Sequence, residues 1–300
     1  MKLVSFGPAG RERPGLIIDE THLIDLSKAL REQPLTMIEL LAGGLLDAAA
    51  DAAKSAAAAA KSAAGAAKPG DAFLVERSTV RLGAPVPHPS KILCLGLNYR
   101  DHAEEQNKPI PTRPMVFSKP STAVIADGEA IRLPDPAFET FTDAEAELAV
   151  VIGRRASKIS EADALDHVAG YTILNDVSGR DTQKAEKQWV RAKGFDTFAP
   201  MGPWIVTGDE IPDPHNLDVV GSVNSEVRQK SNTRHLIFDV PYLVSYLSQT
   251  ITLLPGDLIS TGTPGGVGIY RDPPVRLEAG DRVRIEISSI GALENPVIDS

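Results

Sequence analysis

The sequence predicts a β-rich α+β protein, with a body of mixed β-sheets and few helices preceded by a small N-terminal unit. Three observations carry this expectation. Beyond residue 90, short apolar runs with strand character outnumber helical segments and show no regular βαβ alternation, which argues against a doubly wound sheet. The 300 residues are 42% hydrophobic and 24% charged, a globular balance with length enough for one large domain and a small one. Between the two lies Leu82-Gly83-Ala84-Pro85-Val86-Pro87-His88-Pro89, a rigid, extended, helix-forbidding stretch that reads as a linker. The expected division is 1–85 for the small N-terminal domain with its alanine-rich helix and 86–300 for the larger one.

In chain order, Leu16-Ile17-Ile18 and His22-Leu23-Ile24 read as short strands and Thr36 to Leu46 as helix. An alanine-rich segment over 48–68 follows, in which Lys54, Lys61 and Lys68 recur every seven residues near one helix face and Pro69-Gly70 is the stop; an exposed helix explains it, with a lysine stripe for a partner as the alternative. Lys91 to Gly96 reads as a buried strand. Asn98 to Gln106 is polar and helix-prone, with Asn98 or Asp101 as the cap, and Pro109 to Pro114 is a loop. Ser160-Glu161-Ala162-Asp163 is a capping-box signature for a helix through Val168. Gly170 to Val177 is a strand, Gln183 to Lys193 a helix, Trp204 to Thr207 a strand and Val240 to Gln249 a helix with apolar residues at helical spacing. Asp257 to Thr261 and Arg282 to Ile287 are the last strands.

Composition narrows function by exclusion. A formal charge of −9 argues against nucleic acid as a partner and against long-range steering of an anionic substrate, so any anion recognition must be local. Cys94 is the only cysteine, set in an apolar run, and reads as a buried inert thiol. No basic segment followed by an apolar one opens the sequence and no run of about 18 apolar residues occurs, so neither secretion nor a membrane is expected and the cytoplasm is the default.

The chemistry concentrates at Asp143-Ala144-Glu145-Ala146-Glu147, which runs into Leu148 to Gly153. Successive strand side chains point to opposite faces, so Asp143, Glu145 and Glu147 are expected on one face. Like charges side by side on a strand repel unless neutralised, and clustered hard oxygens suit Mg²⁺, Mn²⁺ or Ca²⁺; the competing reading is the solvated face of an edge strand. Asp176, after the apolar Thr172-Ile173-Leu174, is the expected third ligand beside Glu145 and Glu147, or else a turn residue before Ser178. His102 and Glu105, three apart on the short polar helix, share a face on which the carboxylate can orient the imidazole as a proton shuttle. No Gly-x-Ser-x-Gly, His-Glu-x-x-His or phosphate-cradling loop is present.

Six motifs in order then resemble the fumarylacetoacetate hydrolase family: Gly96-Leu97-Asn98-Tyr99-Arg100-Asp101-His102, Phe117-Ser118-Lys119-Pro120-Ser121, Asp143-x-Glu145-x-Glu147-Leu148, Asn175-Asp176-Val177-Ser178-x-Arg180-Asp181, Lys193-Gly194-Phe195-Asp196-Thr197 and the glycine-rich Thr261 to Gly268. The likeness runs from about Lys91 to Val297. It implies the family's own β-rich catalytic fold, a metal on Glu145, Glu147 and Asp176, a lid carrying the His102/Glu105 pair that activates water, and usually a homodimer. It also implies Lys193 beside the reacting groups and Lys119 and Thr263 at the substrate. One departure is Ala144, where members commonly carry a bulky aromatic. Arg180 and Asp181 read as structural pairing near the site.

The leading expectation is a Mg²⁺- or Mn²⁺-dependent hydrolase of a carbon–carbon bond in a β-diketo acid: an acylpyruvate, a fumarylacetoacetate-like acid or a 2,4-diketo sugar acid. The alternatives are a decarboxylase of an oxaloacetate-like keto acid, a tautomerase or hydratase on the same scaffold, and a non-catalytic metal-stabilised module. The intact His102 and Glu105 speak against the last.

Overall fold

A computed structural model describes residues 1–32, 35–62, 73–211 and 213–300. Its central feature is a twelve-stranded sheet. In spatial order it runs through Leu74–Glu76, His22–Asp25, Arg13–Ile17, Lys2–Phe6, Ala199–Thr207, Val168–Asn175, Ala146–Ile152, Leu258–Ser260, Ile92–Gly96 and Met115–Lys119. Leu82–Gly83 and Val124–Ile125 attach at its side. A five-stranded sheet of Glu226–Asn232, Asp218–Val223, Arg282–Ile287, Gly291–Ile298 and Ile131–Arg132 packs against it, and Thr142–Asp143 pairs with Ser178–Gly179. The chain is therefore β-rich with short helices. Among the described residues no helix is long and apolar enough to cross a membrane.

The middle of the large sheet has no solvent face. Every residue of Ala146–Ile152 is buried, as is all of Val168–Asn175 except its first residue. Leu148, Val150 and Ile152 enter one core with Val219, Ile285 and Leu293 of the small sheet; Ala149 and Val151 enter a second with Leu3, Ile205 and Met201. Burial on both faces is why this strand reads as a continuous apolar run. Cys94 lies in the same layer, and burial raises its thiol pKa well above the ordinary value, which keeps it inert.

Several elements depart from the sequence expectation for local reasons. The helix expected over Thr36 to Leu46 stops at Ala42. It opens with the capping box Thr36/Glu39, and Gly44 at φ +65° closes it in a Schellman arrangement, Leu45 N–H donating to Leu40 C=O and Gly44 N–H to Leu41 C=O. A second helix covers Leu46–Ser62; Lys54 there pairs with Asp51, whereas Lys68 and the Pro69-Gly70 stop lie outside the described residues. Ser160 and Asp163 bond reciprocally, but the turn after them, Ala164–His167, is 3₁₀ and ends at once because Val168 already pairs with Ile152. The helix expected over Gln183 to Lys193 is two pieces, Arg180–Ala185 and Val190–Lys193. The first piece ends where Glu186 turns extended, and Trp189, which opens the second, packs edge-on to Phe117 at 5.4 Å. The strand Lys2–Phe6 was not anticipated.

Candidate active site

Two antiparallel neighbours position the carboxylates. Ala146 pairs with Asn175 and Glu147 with Leu174, so the start of one strand meets the end of the other, where Asp176 follows. Asp176 N–H donates to Glu145 C=O and Glu145 N–H to Asn175 Oδ1, which fixes the crossing. Glu145, Glu147 and Asp176 thereby present oxygens within 4.8 Å of one another, all three residues buried. Asp143 does not join them. The strand breaks at Ala144–Glu145, and the Asp143 carboxylate instead takes Arg180 and the backbone N–H groups of Gly268 and Ile269. The expected common face for all three acids is corrected by this break. Ala144 opens onto a narrow cleft beside Gly221 and Gly268.

Three buried cations surround the trio. Lys193 Nζ donates to Glu145 Oε2 at 2.7 Å and Asp176 Oδ2 at 2.8 Å. Lys119 Nζ donates to Asp176 Oδ1 at 2.5 Å and Val177 C=O at 3.0 Å. Arg180 Nη2 bridges Asp143 Oδ2 at 2.8 Å and Glu145 Oε1 at 2.7 Å. Burial by itself would raise the Glu145 pKa, but Lys193 and Arg180 outweigh it and hold the carboxyl far below its usual range. Glu147 differs: among the described residues it accepts only from Ser260 Oγ and Gly262 N–H, and burial, reinforced by the charges of Asp176 and Glu145, drives its pKa well up. Four buried carboxylates face three buried cations here, and Glu147 is the acid left without one. Converging hard oxygens with a negative charge left over fit a divalent ion. Glu147→Gln is expected to weaken Mg²⁺ binding at least about tenfold in a calorimetric titration, a direct ligand costing no less than an outer-shell partner; an unchanged affinity would remove Glu147 from the ligand set.

Above the carboxylates lies the helix Arg100–Glu105. Its N-cap is Tyr99 with no side-chain bond, so the expected caps are corrected. The Asn98 side chain is engaged by Phe238 and Thr261, while Asp101 accepts from Ser231 Oγ and Gly265 N–H. His102 Nδ1 bonds Glu105 Oε2 at 2.9 Å, and the Gln106 amide meets Nε2 at 2.7 Å. These partners assign Nδ1–H as donor and leave the Nε2 lone pair facing the amide. Glu105 is anchored in turn by Gly266 N–H at 2.8 Å. Gly266 has φ +102°, and a Cβ there would sit 2.1 Å from Arg228 C=O. Gly266→Ala is accordingly expected to cost at least about 2 kcal/mol and to lower turnover by loosening Glu105, read from a melting curve and kcat; a variant with wild-type values for both would show that this amide does not matter.

His102, Gln106, Glu145, Glu147, Arg180 and Lys193 line one cavity of about 370 Å³, together with Thr263 and Tyr270. Thr263 Oγ1 is held by Gln229 Nε2 at 2.7 Å and donates to Ala146 C=O at 3.2 Å. Lys119 is placed behind Asp176, fully buried and off the cavity wall, so its contact is with the Asp176 carboxylate and not with the open volume. Gln106, Gln183 and Tyr270 were missed by sequence reasoning. Gln106 sits four residues after His102 on one helix face, a spacing that could have pointed to it; the Tyr270 ring, edge-on to His102 at 5.8 Å, arrives from a distant loop with no local signal.

The model of the fumarylacetoacetate (FAA) hydrolase C-terminal domain matches residues 91–298. The chain is 43% identical over 303 residues to the mitochondrial oxaloacetate tautomerase fahd2 of Xenopus laevis, covering 99% of this chain and 90% of that protein. It is 44% identical over 289 residues to the oxaloacetate tautomerase YisK of Bacillus subtilis (strain 168), covering 94% and 95%. Among solved structures, maleylpyruvate hydrolase from Sphingobium sp. SYK-6 in complex with manganese(II) and pyruvate superposes with a TM-score of 0.79 at 30% identity, each chain covered in full. The expectation of carbon–carbon bond hydrolysis is corrected by the two tautomerases, which match nearly end to end. The physical reason is that hydrolysis, decarboxylation and tautomerisation of keto acids all pass through an enolate, so the residues that stabilise it do not separate the reactions. Fold, site and relatives agree on one assignment: the chain belongs to the fumarylacetoacetate hydrolase family of enzymes.

Proposed function

We propose that this protein is a keto–enol tautomerase of a dicarboxylic 2-keto acid of the oxaloacetate type. The observation that carries the reading is that His102 and Gln106 of the Glu105–His102–Gln106 relay share one cavity with Glu145 and Glu147 of the buried carboxylate trio, supported by the near full-length oxaloacetate tautomerase relatives. His102 shuttles one proton between C3 and the C2 oxygen: once the Gln106 amide has released the lone pair, Nε2 takes the proton from C3 of the keto form and the resulting imidazolium delivers it to the C2 oxygen of the enolate, and ketonisation runs the same transfers backwards. Glu105, bonded to Nδ1–H, stabilises the imidazolium formed in between. Lys193 spends two of its three N–H groups on Glu145 and Asp176 and keeps one for the substrate's C2 oxygen, where negative charge develops. A Mg²⁺ or Mn²⁺ ion on Glu145, Glu147 and Asp176 would supply Lewis acidity at the keto-acid oxygens. The same reading keeps a homodimer as the assembly.

The test is the ultraviolet decay of freshly dissolved enol-oxaloacetate with and without the protein. Accelerated ketonisation with no pyruvate or bicarbonate released on that timescale is the expected result. Stoichiometric bicarbonate would replace tautomerisation by decarboxylation.

A further inference from the structure

We propose that Lys108 and Lys184 form a receptor at the cavity mouth for the distal carboxylate of the substrate, so that a dicarboxylate is selected over its monocarboxylate counterpart. This rests on the tautomerase reading and names what that site prefers. The cavity wall carries Glu145 and Glu147 against four cations: Lys108, Arg180, Lys184 and Lys193. Two of the four are already committed, Arg180 to Asp143 and Glu145, and Lys193 to Glu145 and Asp176. Lys108 and Lys184 are exposed and have no carboxylate at ion-pair distance among the described residues. Asp181, one turn before Lys184, is taken by the N–H and hydroxyl of Thr140. The cations of the wall that have no carboxylate partner among the described residues are therefore these two lysines.

Their placement supports a joint role. Lys184 lies four residues after Arg180 on one helix, hence on the same face and about 6 Å further along the axis. Arg180 ties that helix to Glu145, so Lys184 is registered against the carboxylate trio. Lys108 comes from a different element, its backbone held after the His102 helix by its N–H bond to Ala103 C=O. A substrate whose keto-acid end lies at Glu145 and Glu147 thus has two uncommitted ammonium groups on the wall of the same cavity for its other end. With a formal charge of −9, the protein as a whole repels a dianion, and a local pair of cations overcomes this only at the mouth.

The experiment uses one ligand pair that differs only by the distal carboxylate and one substrate pair in which a neutral phenyl ring stands in its place. Calorimetric titration of the full chain with L-malate and L-lactate is expected to show preference for malate. Lys108→Gln and Lys184→Gln should each weaken malate binding about five-fold, the scale of one exposed ion pair, and the double variant more. In turnover, the kcat/KM ratio for enol-oxaloacetate over enol-phenylpyruvate should fall in the same order, through KM. Both are surface substitutions, and unchanged melting curves check the fold. Equal malate and lactate affinities in the wild type, or a double variant that binds malate as the wild type does, would overturn the receptor and return both lysines to ordinary solvated side chains. Wild-type protein that prefers malate but does not accelerate ketonisation would keep the receptor and refute the tautomerase reading instead.

Discussion

His102→Asn should lower kcat for enol–keto interconversion by about 10²- to 10⁴-fold, the usual contribution of a positioned proton-transfer group. The imidazole is buried, one nitrogen is oriented by a carboxylate 2.9 Å away, and the other is the basic group of the relay that lines the cavity. Asparagine is near in size and polar but has no site that takes up a proton at neutral pH. Mg²⁺ affinity should stay within a few-fold of wild type, because the His102 ring is no ligand of the trio. Glu105→Gln should cost less than His102→Asn, since it removes only the support of the imidazolium. Turnover of the asparagine variant within a few-fold of wild type would sink the proton-shuttle role.

The largest stability effect is expected from Lys193→Met. Burial works against the Lys193 charge, yet Asp176 and Glu145 outweigh it and raise its pKa above the ordinary lysine value. A group with a raised folded pKa contributes fully below its unfolded value and loses that contribution only as pH climbs through the folded one, so the effect is constant around neutrality. Removing the ammonium leaves two acids in a fully buried site short of one partner each, which costs about 3–5 kcal/mol. Denaturant unfolding in a chelator measures this. Added Mg²⁺ should recover part of the loss, because a doubly charged ion replaces the missing cation by mass action. An unfolding midpoint unchanged in chelator would mean that the pairs merely offset their own desolvation.

The parts of the molecule readable beforehand are those in which local chemistry and tertiary environment agree. The apolar run from Leu148 to Ile152 is a strand because both its faces are covered, and Glu145, Glu147 and Asp176 come together because acids at the ends of two such strands have nowhere else to go. Thr36 and Glu39 announce a helix start, and the box forms. The unreadable parts depend on partners distant in sequence. The break at Ala144–Glu145 that turns Asp143 toward Arg180 has no signature in an alternating Asp-Ala-Glu-Ala-Glu, and the chain turns extended at Glu186 before Trp189 meets the sequence-distant Phe117. Asn98 suggested a cap, yet its amide ties Phe238 to Thr261. Reaction type was the least legible: proton transfer and bond cleavage ask for one and the same charge-stabilising pocket.

The pairing of Lys2 and Leu3 with Val206 and Ile205 has a practical result for handling the protein. The leading hairpin shields a nine-residue strand whose other flank runs straight to Asp176. Trimming the amino-terminal strands to obtain a minimal enzyme would uncover the apolar edge at Ile205 and Val206, a short border open to pairing with another chain.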